Sequence, residues 1–213
     1  MISGKYNPSD GLISIALSAP VTSVLVLANI IVFIVLSLHG STLDTTYMVR
    51  HGALYAPYVI SGEYYRIFTS MFMHFGIEHI ASNMLGLFCL GSIAEQELGR
   101  IKYSILYILS GVGAGIASSA MALINGSSSV SAGASGAIFG IIGSICTIMI
   151  KRKGHFRNMR PANVALMAGY SLFAGFTDIG IDNAAHVGGL LTGFIIALII
   201  YHPHTIRKDD ERL

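Results

Sequence analysis

The chain of 213 residues is 53% hydrophobic and only 11% charged, and its formal net charge at pH 7 is +2. A soluble domain of this length carries about 25% charged residues to cover its surface. The composition, with a mean hydropathy of +0.67, therefore indicates an integral membrane protein. The small net charge and the scattered basic residues argue against nucleic acid as a partner. Cys89 and Cys146 fall in apolar runs, so they are interpreted as small core residues rather than as a disulfide or a metal framework.

Six uncharged stretches are long enough, or nearly so, to cross a hydrocarbon core of about 30 Å. Their length and glycine content favour helices over the alternating strands of a membrane barrel. The predicted fold is therefore an all-α polytopic bundle of six transmembrane helices. In chain order the predicted spans are Pro20–Leu38, His79–Ala94, Tyr103–Ile124, Ala134–Ile150, Pro161–Thr177 and Ala184–Tyr201. The second is the shortest, and it gains length if the preceding "FTSMFMHF" joins the helix.

Basic residues predict the orientation, because cytoplasmic loops accumulate Lys and Arg. With the N-terminus inside, eleven of these residues lie on the inner side and only Arg50 and Arg66 on the outer side. Both termini are then cytoplasmic: residues 1–19 form a short N-terminal segment and 203–213 a tail, around a membrane domain at 20–202. The loop from Gly40 to Gly76 lies outside and is too long for a plain connector. Its tyrosines, mixed with apolar residues, suit the membrane interface.

Residues 131–140, "SAGASGAIFG", place Ser135 between glycines where a polar loop enters the fourth span. Two interpretations of this stretch stand. In the first, Gly136, Gly140 and Gly143 recur at helical spacing to let two membrane helices approach closely, and Ser135 is a small residue that fits. In the second, Ser135 is a nucleophile.

Two of the eight histidines fall within predicted spans: His79 opens the second, and His186 lies near the start of the sixth. An imidazole in a membrane segment is costly unless it is paired, so it serves either helix packing or function. The depth of these polar residues in the membrane favours a functional role over helix packing. Asn83, Ser135 and His186 each lie 16 or 17 residues from the inner end of their span, which is about 24 to 26 Å at 1.5 Å per residue. His79 shares a helix face with Asn83, one turn higher.

Residues of these types permit acyl transfer. The hydroxyl of Ser135 needs a base, and the neutral imidazole of His186 is the usual base near pH 7. Negative charge on the substrate carbonyl oxygen needs preorganised donors, which the side chains of His79 and Asn83 and the backbone N–H of Ser135 offer. We expect no metal and no cofactor.

No carboxylate accompanies this pair of residues. Asp and Glu are absent from the spans proper, since Glu95 lies at the inner end of the second span and Asp178 and Asp182 belong to an outer loop. The pattern therefore predicts a Ser–His dyad rather than a triad. Gly188 and Gly189 are expected to let the sixth helix approach the fourth, so that the dyad can form.

Three motifs, "MHFGIEHIASNMLGL", "GASG" and "AHVGG", together resemble the rhomboid family of intramembrane serine proteases. The resemblance covers nearly the whole chain, in the six-span form typical of bacterial members. It implies that Ser135 is the nucleophile, that His186 is the general base and that His79 and Asn83 contribute to the oxyanion hole.

The resemblance also assigns supporting positions. They are Gly133 and Gly136 of the Gly-x-Ser-Gly motif, Gly189 in the last span, Arg66 of the outer loop and Glu95 at the inner end of the second span. Phe139 stands where the best-known relatives carry a tyrosine that packs on the catalytic histidine. Tyr65 precedes Arg66, where a tryptophan is common.

The function that the resemblance implies is hydrolysis of peptide bonds in or near the transmembrane segment of single-pass membrane proteins. The expected setting is the lipid bilayer of a bacterial inner membrane, with the active site toward the outer face. Two alternatives remain. A non-catalytic rhomboid-like binding protein should lack Ser135 or His186, and both are present. A small transporter should spread polar groups along a path through the membrane, whereas the inner halves of these spans are almost wholly apolar.

Overall fold

The computed structural model describes residues 11–154, 156, 162, 164, 166, 169 and 182–203. In chain order the helices of this part are α1 (Leu12–Ser18), α2 (Pro20–His39), α3 (Thr45–Arg50), α4 (Ala56–Ile60), α5 (Arg66–Thr69), α6 (Gly76–Leu98), α7 (Arg100–Ile124), α8 (Ser135–Lys151) and α9 (Asn183–Ile200). Two short strands, β1 (Leu54–Tyr55) and β2 (Val130–Ser131), pair with each other.

The prediction of an all-α membrane bundle is confirmed. Helices α2, α6, α7 and α9 are long and apolar enough to cross a membrane, and α8 is a shorter apolar helix of 17 residues. The first, third, fourth and sixth predicted spans match α2, α7, α8 and α9 within three residues at each end. The fifth, at 161–177, falls mostly outside the described residues.

The second span is longer than predicted, because α6 runs from Gly76 to Leu98. The stretch "FTSMFMHF" does not extend it: a 3₁₀ turn at Ser70–Phe72 follows α5, and Met73 is extended. The added length lies mostly at the other end, where the helix continues through Glu95 and Glu97. Charged residues stay helical there because both carboxylates have buried or half-buried partners.

A π turn at Leu87–Gly91 interrupts α6. Such a turn holds one residue more than an α turn, so it rotates the helix face beyond it. Cys89 lies exposed on this turn, so its interpretation as a core residue is wrong, whereas Cys146 on α8 is half-buried. Both thiols are free.

Glu95 joins α6 to the start of α2. It is 2% exposed, and its carboxylate accepts hydrogen bonds from the backbone N–H of Val21 at 3.0 Å and of Thr22 at 2.7 Å. The Thr22 hydroxyl adds a third bond at 2.8 Å. The first N–H groups of a helix have no partner within it, and its positive end favours an anion. Glu95 therefore caps α2 from a neighbouring helix.

Helix α8 lies at the centre of the bundle, and most of its residues are buried against α7 and α9. Glycines make this possible. A Cβ at Gly189 would collide with the carbonyl oxygen of Gly136, and a Cβ at Gly193 would collide with that of Gly140. The two backbones of α8 and α9 therefore touch directly, as small-residue membrane interfaces allow.

Gly188 does not serve this contact, contrary to the prediction. A Cβ there would collide with the methyl group of Ala117 on α7. Successive helical residues are rotated by about 100°, so the neighbouring glycines of α9 face different helices. Gly188 allows α9 to pack closely on α7, and Gly189 allows it to pack closely on α8.

The long loop between α2 and α6 is attached to the segment that precedes α8. Strand β1 pairs antiparallel with β2, with Leu54 opposite Ser131 and Tyr55 opposite Val130. Because β2 ends four residues before Ser135, this pairing positions the loop beside the start of α8.

Candidate active site

Ser135 and His186 are in direct contact. Ser135 is the first residue of α8 and His186 lies in the first turn of α9, so both side chains lie at helix starts at the same end of the bundle. The Nε2 atom of His186 lies 3.0 Å from the Oγ atom of Ser135. His186 is 8% exposed, and its Nδ1 atom has no hydrogen-bond partner among the described residues. At this distance Nε2 can accept the proton of the Ser135 hydroxyl.

Phe139 lies one turn after Ser135 and covers His186. The two rings are stacked, with centroids 4.2 Å apart and planes inclined by 11°. Phe139 is itself buried in the bundle core. It therefore restricts rotation of the imidazole from one face.

His79 lies beside Gly133, which belongs to the loop that precedes Ser135. Gly133 adopts a φ of +139°, and a Cβ built there would lie 3.0 Å from the His79 ring and 3.7 Å from Ser135 Oγ. The imidazole of His79 and the hydroxyl of Ser135 therefore both border the space at Gly133 that a side chain would fill. Only glycine combines that backbone angle with the open space.

Asn83 is buried one turn below His79, and its amide donates a hydrogen bond to the His79 carbonyl oxygen at 2.9 Å. The second amide hydrogen remains for another acceptor, since an Asn amide donates twice. The Oδ1 atom has no partner among the described residues. The structure thus brings His79 and Asn83 to the same end of the bundle as Ser135, but it shows neither side chain bonded to Ser135.

His74 is a component of this site that sequence analysis missed. It is fully buried, and its Nε2 atom accepts a hydrogen bond at 3.3 Å from the backbone N–H of Ala134, the residue before Ser135. Its ring meets that of His79 edge-on, with centroids 5.2 Å apart. The adjacent N–H of Gly133 donates to the Ser70 carbonyl oxygen at 2.9 Å. The segment at 70–74 therefore accepts hydrogen bonds from two N–H groups of the loop that precedes Ser135.

Burial and the neighbouring His79 lower the pKa of the His74 imidazole to about 3. His74 is thus neutral throughout the physiological range. Neutrality is required here because Nε2 accepts the Ala134 hydrogen bond, which leaves the proton on Nδ1. The only signal in the sequence was a histidine five positions before His79, outside every predicted span.

A cleft opens beside Ser135, and small residues form most of its wall. They include Gly111, Gly115, Gly136, Ala114, Ala137 and Ala185. Met71 borders it as well, packed so closely on Gly111 that a Cβ there would collide with its thioether. Among the described residues no cluster of three His, Cys, Asp or Glu side chains suitable for a metal ion is present.

Comparison with known proteins identifies the family of this chain. The family model of the Rhomboid domain matches residues 61–203, two thirds of the chain. The chain belongs to the rhomboid family. All the site residues described above fall within the matched range.

Three relatives illustrate the extent of the match. Rhomboid protease AarA of Providencia stuartii is 31% identical, over 87% of this chain and 74% of its own length. Rhomboid protease GluP of Bacillus subtilis is 31% identical over 85% of this chain, and RHOMBOID-like protein 5 of Arabidopsis thaliana is 34% identical over 70%. The chain spans only 35% of GluP and 48% of the plant protein.

In this rhomboid domain Arg66 contacts the loop between α2 and α6 rather than Ser135 or His186. Its guanidinium is 4% exposed and donates to the carbonyl oxygens of Val49 at 2.6 Å and Ala53 at 3.0 Å. It also pairs with Glu63, and hydrogen bonds from Tyr65 and Arg66 lower the pKa of that carboxyl. Tyr65, which stands in the tryptophan position, lies 5.4 Å from the guanidinium carbon. The loop therefore folds around a buried cation.

Proposed function

We propose that this rhomboid is an intramembrane serine endopeptidase that cleaves peptide bonds in or near the transmembrane segments of single-pass membrane proteins. The contact between Ser135 Oγ and His186 Nε2 at 3.0 Å carries the proposal. A half-buried serine and a buried histidine at hydrogen-bond distance, on two helices held together by backbone contact, can act as the nucleophile and base of acyl transfer.

The reaction begins when His186 Nε2 takes the hydroxyl proton as Ser135 Oγ attacks the substrate carbonyl carbon. Negative charge then develops on the carbonyl oxygen and is met by the Ser135 N–H, which as a first-turn group has no partner within α8. His79 and the free amide hydrogen of Asn83 are the further donors. Protonated His186 passes its proton to the leaving amine, and water hydrolyses the acyl-enzyme by the reverse sequence.

The walls of the cleft support one expectation about the substrate. The glycine and alanine residues there leave room for a small residue next to the scissile bond. A substrate helix ties up its own backbone groups, so it must unwind locally before a carbonyl reaches Ser135. We therefore expect substrates with weak helix formers and a small residue at the cleavage site.

The proposed setting is a bacterial inner membrane with both termini in the cytoplasm. Helices α6, α8 and α9 all begin at the dyad, and Lys151 and Arg152 lie at the opposite end of α8. Under the rule that basic residues stay inside, the site faces outward.

The transporter alternative is less well supported. The inner half of the bundle does contain buried polar side chains, including Thr22, Asn29 and Glu95, and is less apolar than predicted. However, Thr22 and Glu95 bond to each other, and the Asn29 amide bonds to the Leu25 carbonyl of its own helix. Groups that satisfy one another, as Thr22 and Glu95 do, suit structure better than solute binding, whereas the Asn29 Oδ1 atom has no partner among the described residues.

The test uses purified protein in detergent with a panel of single-span substrates. Ser135→Ala and His186→Ala should each abolish cleavage without loss of folding, and a fluorophosphonate should attach to Ser135. Ser144→Ala, a buried serine further along α8, and His51→Ala, in the outer loop, are matched controls that should retain activity. Cleavage near the wild-type rate by either dyad variant, or labelling at another serine, overturns the proposal.

A further inference from the structure

Asp182 caps α9 at the turn that carries His186. Its Oδ1 atom accepts a hydrogen bond from the Ala185 N–H at 2.9 Å, and its carbonyl oxygen accepts one from the His186 N–H at 3.1 Å. An aspartate at this position satisfies N–H groups that the helix itself cannot. Two hydrogen bonds thus tie the backbone of the base to Asp182.

The second carboxylate oxygen of Asp182 reaches a different helix. It accepts a hydrogen bond from the hydroxyl of Ser118, a buried residue near the end of α7. A charge-assisted bond of this kind is among the stronger hydrogen bonds in proteins. Asp182 is therefore fixed at once to the first turn of α9 and to α7.

Helix α7 also contacts the helix of the nucleophile. Ala114, one turn before Ser118, lies against Gly136, where a Cβ would collide with the Ala114 methyl group. Gly136 follows Ser135 directly. The contacts therefore form a closed circuit from Ser135 through α7 to Asp182 and back to His186.

We propose that Asp182 and Ser118 form a latch that sets the position of His186 relative to Ser135, and this inference rests on the proposed protease function. Asp182 is a positioning residue, not the third member of a triad. Both of its carboxylate oxygens are occupied by Ala185 and Ser118, and His186 Nδ1 has no partner among the described residues.

The latch predicts a specific pattern of variants. Asp182→Ala and Ser118→Ala should each lower kcat about 10-fold, because displacement of a catalytic group by a fraction of an ångström slows chemistry. KM should stay within about 2-fold, since no substrate contact is removed. The double variant should be no slower than Asp182→Ala, because both substitutions break one connection.

Asp182→Asn separates geometry from charge. The Asn carbonyl oxygen can accept from Ala185 N–H and the amide can donate to the Ser118 hydroxyl, so kcat should remain within about 3-fold of the wild type. The matched control for Ser118→Ala is Ser119→Ala. Ser119 is equally buried on α7, and its hydroxyl bonds to none of the described residues, so kcat should not change.

The experiment measures kcat, KM and the rate of fluorophosphonate labelling for this set in detergent. The inference is overturned if Asp182→Asn is as slow as Asp182→Ala, if the two single losses multiply, or if KM rises with kcat unchanged. Should Asp182→Ala not fold, Ser118→Ala and Asp182→Asn decide alone. If the wild-type protein neither cleaves substrate nor is labelled at Ser135, the proposed function is wrong. If the wild type is active and the Asp182 and Ser118 variants have unchanged kcat, only the latch is wrong.

Discussion

The ring of Phe139 lies flat on the imidazole of His186, with centroids 4.2 Å apart and planes inclined by only 11°. Phe139 is anchored in the core, whereas His186 depends on its neighbours for its orientation. The phenyl ring thus holds one face of the base, and the Ser135 hydroxyl meets its edge. The stack needs an aromatic ring but no hydroxyl group.

Replacing Phe139 with leucine removes the stack and keeps the hydrophobic volume. Aromatic pairs contribute about 0.5–1.5 kcal/mol beyond burial, so kcat should fall about 2- to 12-fold with little change in KM. Phe139→Tyr should stay near the wild type. Phe33→Leu, a half-buried phenylalanine on α2, is the control. Equal loss in Phe139→Leu and Phe33→Leu would assign the effect to general packing.

The oxyanion role proposed for Asn83 and His79 predicts which kinetic constant their substitution changes. Loss of one donor in a dry site slows turnover about 10²- to 10³-fold. Here other donors remain and water enters the site, so Asn83→Ala should lower kcat about 10-fold, with KM nearly unchanged. His79→Ala should behave similarly, and the double variant should lose more. A raised KM at constant kcat in Asn83→Ala would exclude the oxyanion role for Asn83.

His74 should make stability depend on pH. Its pKa is lowered to about 3 in the folded protein, against about 6.5 when unfolded, so the unfolded chain binds more protons between these values. Stability is therefore complete above pH 6.5 and declines as the pH falls toward 3. Between pH 6.5 and 5.5, protonation of His74 in the unfolded chain lowers the free energy of unfolding by about 1 kcal/mol.

The measurement is the thermal midpoint Tm in detergent at several pH values, for wild type and His74→Gln. Glutamine can still accept the Ala134 hydrogen bond but does not titrate. The wild-type Tm should fall more steeply than the variant's by roughly 2–4 °C over that pH unit. Parallel profiles would mean that His74 is not the titrating group.

Gly189 should not tolerate even one methyl group. The Cβ of Gly189→Ala collides with the backbone of Gly136, which cannot move aside as a flexible side chain would. Overpacking of this kind costs about 1–3 kcal/mol, and it also separates His186 from Ser135. Tm and kcat should therefore fall together. Gly86→Ala on α6 is the control, because its Cβ meets Ile138 at an ordinary 3.8 Å. The close-contact argument fails if the two variants behave alike.

Much of the site was predictable because its residue types are rare at membrane depth. Ser135, His186, His79 and Asn83 stand out against apolar surroundings, and counting residues along three helices is enough to place them together. The two interpretations of the glycine pattern also prove compatible. Gly136 and Gly140 expose their backbones for packing, and Ser135 directly precedes Gly136 at the start of the same helix.

Other features depend on three-dimensional contacts that residue spacing along the sequence does not predict. His74 lies in a loop, and nothing in its neighbours indicates that it reaches Ala134. The partner of Gly188 depends on the rotation of α9 about its axis. The second span was predicted too short because the uncharged run ends before Glu95. The helix continues, since the carboxylate of Glu95 bonds to Thr22 of α2 and that of Glu97 bonds to Tyr201, which follows α9.

The π turn at Leu87–Gly91 divides α6 into two halves with different phases. Asn83 and Glu95 are twelve residues apart, and in an unbroken α-helix they would point about 120° away from each other. The extra residue in the turn reduces that angle to about 20°. One face of α6 can thus present Asn83 toward Ser135 and His186 at one end and Glu95 toward α2 at the other. Deleting a single residue from the turn would restore a regular helix. Either Asn83 would then turn away from Ser135 and His186, or Glu95 would turn away from the start of α2.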